Sequence, residues 1–508
     1  MASALTAGHT VAYDFGSPRA PQVPRLTSTL ATSVSADFAA TEAHLHKRSS
    51  ALRKELGYLD LVLASILLVV IPDFFGTAVK AGPAHVVLWL FAILLFFIPQ
   101  AFVVAHLNRL MPLEGGLYEW TRLAFNDGIG FLVAWNLWLY VVLYVASTGL
   151  VTVNYLAYAI GPAAATMAAN RWIVLLTSVV MIGLLMFVAR LGLRVGKWVT
   201  NAGSFLTVLI IALLALMPFI HRWRGSLSGY HPLHLVTPPL TLFSLSVFSK
   251  MTFGALCGFE YAAIFAGESR NPARHLKRAI LITAPLIALL YIFGTSAILA
   301  YVSPDSVDVI GPIPQALRRA FSGLGFARVI VPAAVLLLFT NYLSTFCLNF
   351  TANSRLPMVA GWDHLLPEWF TRLHAKYKTP VNSIFFLSGI TVATSVVVLA
   401  GVGDQEAFEL LQIWGFTFYG FAYLALFAIP LLARKERGIR PGLWLRFAAA
   451  SGFLVTLLFV LLSIFPIISV KSESAYAIKT AAVLIGAEAL GLLLYRLGSR
   501  GRSSSNAA

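Results

Sequence analysis

The stretch SKMTFGALCGFEYAAIFAGESRNPARHLKR, residues 249–278, decides the fold. It runs apolar for the length of a bilayer crossing, yet its middle carries Gly254, Gly258 and the acidic Glu260. A carboxylate at membrane depth costs about 2.5–3.5 kcal/mol on insertion scales, so it is expected to face protein, water or a bound cation rather than acyl chains. Flanking glycines let a helix unwind, and the freed backbone N–H and C=O groups can hold a ligand. The same glycines also suit close helix packing through a small-xxx-small contact. The segment stops at Asn271-Pro272 and continues into Arg274, His275, Lys277 and Arg278, a basic run that marks the cytoplasmic face of a membrane.

Outward from this segment the whole chain has the same character. Hydrophobic residues make up 58% of its 508 residues and charged ones 11%, with a mean hydropathy of +0.81. That composition is an all-α polytopic membrane protein with the lipid bilayer as its first partner. The net charge of +16 does not point to nucleic acid, because the basic residues fall between apolar segments rather than on one face. Both cysteines, Cys257 and Cys347, lie inside apolar spans and read as free thiols. A membrane enzyme would need a nucleophile with its base or a metal cluster. No HExxH, His/Cys grouping or serine motif is present, and Gly115 to Tyr118 follows no strand and precedes no P-loop lysine. Neither a cofactor nor enzymatic activity is expected.

Residues 1–50 are rich in Ala, Ser, Thr and Pro without an apolar signal core, and read as a disordered cytoplasmic tail. About twelve spans follow, near 58–80, 84–107, 128–158, 171–190, 197–220, 241–268, 277–302, 328–357, 383–401, 406–433, 444–468 and 476–496. With the amino terminus inside, 27 of the 37 Lys and Arg residues fall on the inner side and 10 on the outer side. Both termini are therefore expected in the cytoplasm, with the chain multi-pass in the cell membrane. Residues 51–500 read as a single transmembrane domain, followed by a short cytoplasmic tail at 501–508. A short external helix is expected around 313–321.

The first span has its own interruption, LLVVIPDFFGTAVKAGP, where Pro72 removes a helix hydrogen bond and Gly76 relaxes the backbone beside Asp73. Asp73 can contact a ligand or cap a half-helix. Interrupted segments five spans apart point to a 5+5 inverted repeat, 58–220 and 241–433, with 444–496 adding two helices outside it.

Three blocks then resemble the amino acid–polyamine–organocation superfamily of permeases: PLEGGLYEW at 112–120 with Gly130, Phe131 and Trp135; GFE and AGESRNPAR in the sixth span; and SRLPMVAGWDHLLPEWF with Thr379-Pro380 after the eighth. They cover residues 55–435. The resemblance implies a leucine-transporter-like fold, with helices 1 and 6 broken, substrate held between their unwound centres, and alternating access. It departs at helix 1, where amino acid-binding members show a GSGIF-like break whose bare amides hold the substrate carboxylate and this chain reads IPDFFG; Asp73 suits an amine. Gly254 stands where some members carry an aromatic lid, so either the pocket is roomier or Phe253 or Phe248 supplies the ring. Thr207 stands where some proton-coupled members place a lysine, so a lysine switch is not expected.

The candidate substrate site comprises Ile71, Pro72, Asp73 and Phe74 at the first break, Phe253, Gly254, Ala255, Cys257, Gly258, Phe259 and Glu260 at the second, with Tyr144 and Trp414 among the aromatics that could line a gate. The hydroxyls of Ser344 and Thr345 form a candidate sodium site. The expected function is secondary active transport of an amino acid or related organic amine. Alternatives are a polyamine or organocation transporter and a non-transporting permease-like sensor, and a channel is the rival with no saturable exchange. No ATP-binding motif is present, so coupling would come from an ion gradient or a counter-substrate.

Overall fold

A computed structural model of the protein describes residues 58–111, 116–161, 166, 170–191, 193–227, 230–260, 272–322, 324–325, 327–359, 368–370, 372–374, 379–432 and 441–505. The tail at 1–50, residues 112–115 of PLEGG, the 261–271 end of the sixth span with most of AGESRNPAR, and residues 360–367 of the block after the eighth span lie outside the described residues.

Every regular element among the described residues is helical. In chain order they are α1 (Tyr58–Val69), α2 (Asp73–Val79), α3 (Gly82–Leu110), α4 (Leu117–Ala124), α5 (Asp127–Ala146), α6 (Thr148–Ile160), α7 (Arg171–Leu191), α8 (Leu193–Trp223), α9 (Leu242–Leu256), α10 (Pro272–Leu299), α11 (Pro312–Ala320), α12 (Ala327–Val359), α13 (Val381–Gly401), α14 (Asp404–Leu432), α15 (Leu443–Leu462) and α16 (Glu473–Ser505). Among the described residues, ten stretches are long and apolar enough to cross a membrane. The chain is a multi-pass membrane protein. The count falls short of twelve because two expected spans are not continuous helices. The first divides into α1 and α2 around Val70–Pro72, and the helix of the sixth ends at Leu256. The short helix read at 313–321 is present as α11.

Local chemistry starts these helices where they start. Asn126 accepts a hydrogen bond from the Ile129 N–H at 2.9 Å to open α5, and Thr241 accepts one from the Ser244 N–H at 3.1 Å to open α9. The 3.6-residue period then sorts the faces. Along α7, Val174, Ser178, Ile182 and Leu185 are buried, whereas Leu176, Val180 and Phe187 are exposed, an apolar face directed outward as only lipid permits. Small residues bring helices close: a Cβ at Gly149 of α6 would meet the Val174 carbonyl of α7 at 2.7 Å. The broadest packing is between α5 and α14 and between α8 and α12. The half-helix α2 packs against α9, α10 and α11, and α9 also packs against α15.

Candidate functional site

Each break exposes backbone groups that a bilayer cannot solvate, and each is met by a tyrosine hydroxyl from another helix. At the first, the Tyr291 hydroxyl of α10 accepts from the Ile71 N–H at 3.0 Å and donates to the Val69 carbonyl at 2.9 Å. At the second, the backbone leaves α9 at Cys257 in an extended conformation and turns at Gly258, whose φ of 126° strains any residue with a Cβ. The Tyr423 hydroxyl of α14 accepts from the Gly258 N–H at 2.8 Å and from Gln100 Nε2 at 2.6 Å. It donates in turn to Glu260, whose other oxygen accepts from the Tyr419 hydroxyl. Glu260 thus holds the turn to α14 through two phenols.

Between α2, α9 and α14 lies a cavity of ≈ 20 Å³, lined by Asp73, Phe74 and Thr77 of α2, Lys250 of α9, Glu409, Gln412 and Phe416 of α14, Val309, and further apolar side chains including Phe459 of α15. One water fills a space of that size, so the walls are closed on the site. Gln412 Nε2 donates to Asp73 Oδ2 at 2.8 Å. Asp73 Oδ1 and Gln412 Oε1 are buried without a hydrogen-bond partner among the described residues. Lys250 Nζ pairs with Glu409 Oε1 at 3.0 Å, both side chains under 10% exposed. Aromatic rings complete the walls. Phe74 meets Phe416 edge-on at 4.9 Å, and Tyr140 stacks on Tyr419 at 4.5 Å and on Tyr144 at 5.8 Å.

A second, larger hollow of ≈ 550 Å³ opens above it, lined by Asn154, Tyr158, Asp308, Arg318, Asp404 and Gln405 among others. The Asp308–Ile310 segment stands between the two, since Val309 lines the small cavity while Asp308 and Ile310 line the large one. Asp308 fixes that segment. Its carboxylate accepts from Asn154 Nδ2 at 3.0 Å, the Tyr158 hydroxyl at 2.9 Å, Gln405 Nε2 at 2.9 Å and the Ile310 N–H at 3.0 Å.

Two interrupted spans and a small cavity that sets a few buried polar groups among apolar walls accompany a family match: residues 56–487 match the amino acid permease family. The chain belongs to the amino acid permease family. This permease is 27% identical over 395 residues to an uncharacterised transporter of Legionella pneumophila, covering 77% of this chain and 83% of the relative. It is 23% identical over 393 residues to the "Branched-chain amino acid permease BcaP" of Bacillus subtilis, covering 71% of this chain and 80% of the relative. It is 24% identical over 246 residues to the "Probable agmatine/putrescine antiporter AguD" of Lactococcus lactis, covering 48% of this chain and 52% of the relative.

Within the permease the residues read from sequence divide by position. Asp73 and Phe74 line the cavity, and Ile71 and Pro72 form the turn above them. Glu260 and Gly258 form the second break, where Phe259 stacks on Phe97 at 5.1 Å and Cys257 and Ala255 are buried. The space opposite Gly254 is not roomier: a Cβ there would run into the Phe74 ring, so the aromatic at this point comes from α2. Phe253 instead stacks on Phe459 of α15 at 4.6 Å. Tyr144 sits in the aromatic stack, whereas Trp414 donates to Thr480 of α16 at 3.1 Å, away from the cavity. The Ser344 and Thr345 hydroxyls donate to the carbonyls of Thr340 at 2.7 Å and Asn341 at 3.1 Å, and Asn341 Nδ2 donates to the Thr207 hydroxyl.

Lys250, Glu409 and Gln412 were not identified from the sequence, and Lys250 belongs to the ten basic residues assigned outside the membrane. It is buried in α9. A lysine within an apolar run and a Glu409, Gln412, Phe416, Tyr419, Tyr423 series at helical spacing were the available signals.

The Gly254 contact yields a direct test. Gly254→Ala is expected to displace Phe74 and cost about 1–3 kcal/mol, read as a lower melting temperature in detergent. Phe74→Leu in the same chain is expected to recover most of the loss; no recovery would show that the two residues do not share this space.

Proposed function

We propose that the protein is a secondary transporter that carries an amino acid or related organic amine by alternating access, binding the substrate ammonium at Asp73. The observation that carries this reading is the pair of unpartnered acceptors, Asp73 Oδ1 and Gln412 Oε1, buried on one cavity wall at the break in the first span. A buried carboxylate oxygen without a donor is costly. An ammonium group supplies three N–H donors and the opposite charge. The names of BcaP and AguD, an amino acid permease and an amine antiporter, support this class.

The arrangement belongs to a 5+5 inverted repeat of about twelve spans, with α1 and α2 as the first span and α9 beginning the sixth. Both termini and the basic 269–276 connection lie in the cytoplasm. This orientation places the ≈ 550 Å³ hollow on the outer side. The Asp308–Ile310 segment is then the outer gate, closed over an occluded site. Three hydrogen bonds, from Asn154 and Tyr158 of α6 and Gln405 of α14, to one carboxylate hold it, each worth about 0.5–1.5 kcal/mol or more. In a background lacking Cys257 and Cys347, Asp308→Ala is expected to speed modification of a cysteine at Thr77 from the outer side by at least about tenfold. Equal rates would remove Asp308 from gating.

Uptake into liposomes containing the purified protein, measured for a panel of amino acids and amines under separate sodium, proton and counter-substrate gradients, tests the function. Saturable uptake of one class is expected. Transport of none of them, in protein shown to be folded, would favour a sensor.

A further inference from the structure

The usual place for a carboxylate in a broken-helix site is the ring of freed backbone amides, and here five of those amides already have partners within the protein. The Ile71 N–H goes to Tyr291, the Phe74 and Phe75 N–H groups go to the carbonyls of Ile71 and Pro72 at 3.2 and 3.3 Å, and Pro72 has none to give. At the other break the Cys257 N–H bonds the Phe253 carbonyl at 3.2 Å and the Gly258 N–H bonds Tyr423. Lys250 is the cation among the residues lining the cavity. An ammonium has three N–H donors. Lys250 spends two, on Glu409 Oε1 at 3.0 Å and on the Phe465 carbonyl at 2.7 Å.

We infer that Lys250 is the residue that selects for a carboxylate on the substrate, its third N–H meeting that group while the substrate ammonium meets Asp73 Oδ1 and Gln412 Oε1. This inference rests on the ammonium site proposed above and goes beyond it. The cavity wall offers one unspent cationic donor and two unspent acceptors, the complement of a zwitterion rather than of a simple amine. Glu409 orients Lys250 and does not touch the substrate. Gly254, one helical turn beyond Lys250 on α9, has the Phe74 ring against it, which brings α9 close enough to α2 for one small molecule to reach both charges.

The experiment is competition in reconstituted liposomes with matched pairs that differ only in the carboxylate: leucine with isopentylamine, and arginine with agmatine. Wild type is expected to prefer the amino acid of its accepted pair by at least about tenfold, the scale of one charge-assisted hydrogen bond. Lys250→Met combined with Glu409→Gln removes both charges and leaves neither buried alone. It is expected to lose the preference while still taking the amine, and Lys250→Arg is expected to retain it. Glu409→Gln alone leaves Lys250 buried without the partner that orients it and is expected to shrink the preference for the amino acid without changing affinity for the amine, a selective loss that misfolding does not produce. The inference is overturned if wild type prefers the amine, if the double variant keeps the wild-type ratio, or if Glu409→Gln leaves the ratio unchanged. Wild type that takes neither member of either pair, or of the wider panel, overturns the ammonium site as well, so the two failures are distinct.

Discussion

Asp73→Asn is expected to reduce substrate affinity by about a hundredfold or more while leaving the protein as stable as wild type or more so. The two effects have one source. Asp73 is buried, with one oxygen held by Gln412 and the other without a partner among the described residues, an arrangement that costs desolvation in the empty site. An asparagine fills the same volume and carries no charge to desolvate. Once an ammonium is bound, the same substitution removes a buried charge pair, a loss of about 3 kcal/mol or more. Binding and melting temperature should therefore move in opposite directions, as at sites where function is held at the expense of stability. Direct binding to detergent-solubilised protein, set beside thermal unfolding of the same samples, reads both. An Asn variant that binds as wild type does would remove Asp73 from the substrate site.

Tyr423→Phe should do the reverse, damaging the fold first. Its hydroxyl accepts from Gln100 and Gly258 and donates to Glu260, so one missing oxygen atom leaves three buried groups short of a partner. At about 1–3 kcal/mol for each unsatisfied group the loss is about 3 kcal/mol or more, even though phenylalanine keeps the ring contacts with Phe96 and Phe427. The expected result is a melting temperature several degrees below wild type. A shift within about one degree would show that the second break is held by something other than this hydroxyl.

What could be read from the chain alone follows from where each signal originates. Pro72 and Gly258 act on their own backbone, so both breaks were legible in the sequence. Asp73 and Glu260 stood out because a carboxylate in an apolar run has few alternatives to a polar neighbour. Their partners were not legible. Whether Glu260 meets a substrate or a pair of phenols depends on how α14 lies against the second break, which no local pattern states. The Lys250–Glu409 pair joins positions 159 residues apart, and the lysine alone reads as one more positive charge near a span end. Gly254 likewise reads as an opened pocket until Phe74, from the other half-helix, is seen to fill it. Trp414 could have been set aside on spacing, because it falls off the face shared by Glu409, Gln412 and Phe416. Two of the expected spans are not continuous helices for a related reason: a hydropathy window averages across a break and cannot distinguish a continuous helix from two halves.

The most direct test of the central claim is counterflow. Liposomes bearing the purified protein are loaded with unlabelled substrate from the class found by uptake, then diluted into the same substrate at trace labelled concentration, with no ion gradient across the membrane. A carrier whose site alternates between the two sides will concentrate the label transiently inside, with saturation, and Asp73→Asn liposomes will not. Label that only equilibrates, at a rate linear in concentration and indifferent to Asp73, would mean an open path rather than a site, and would contradict the account.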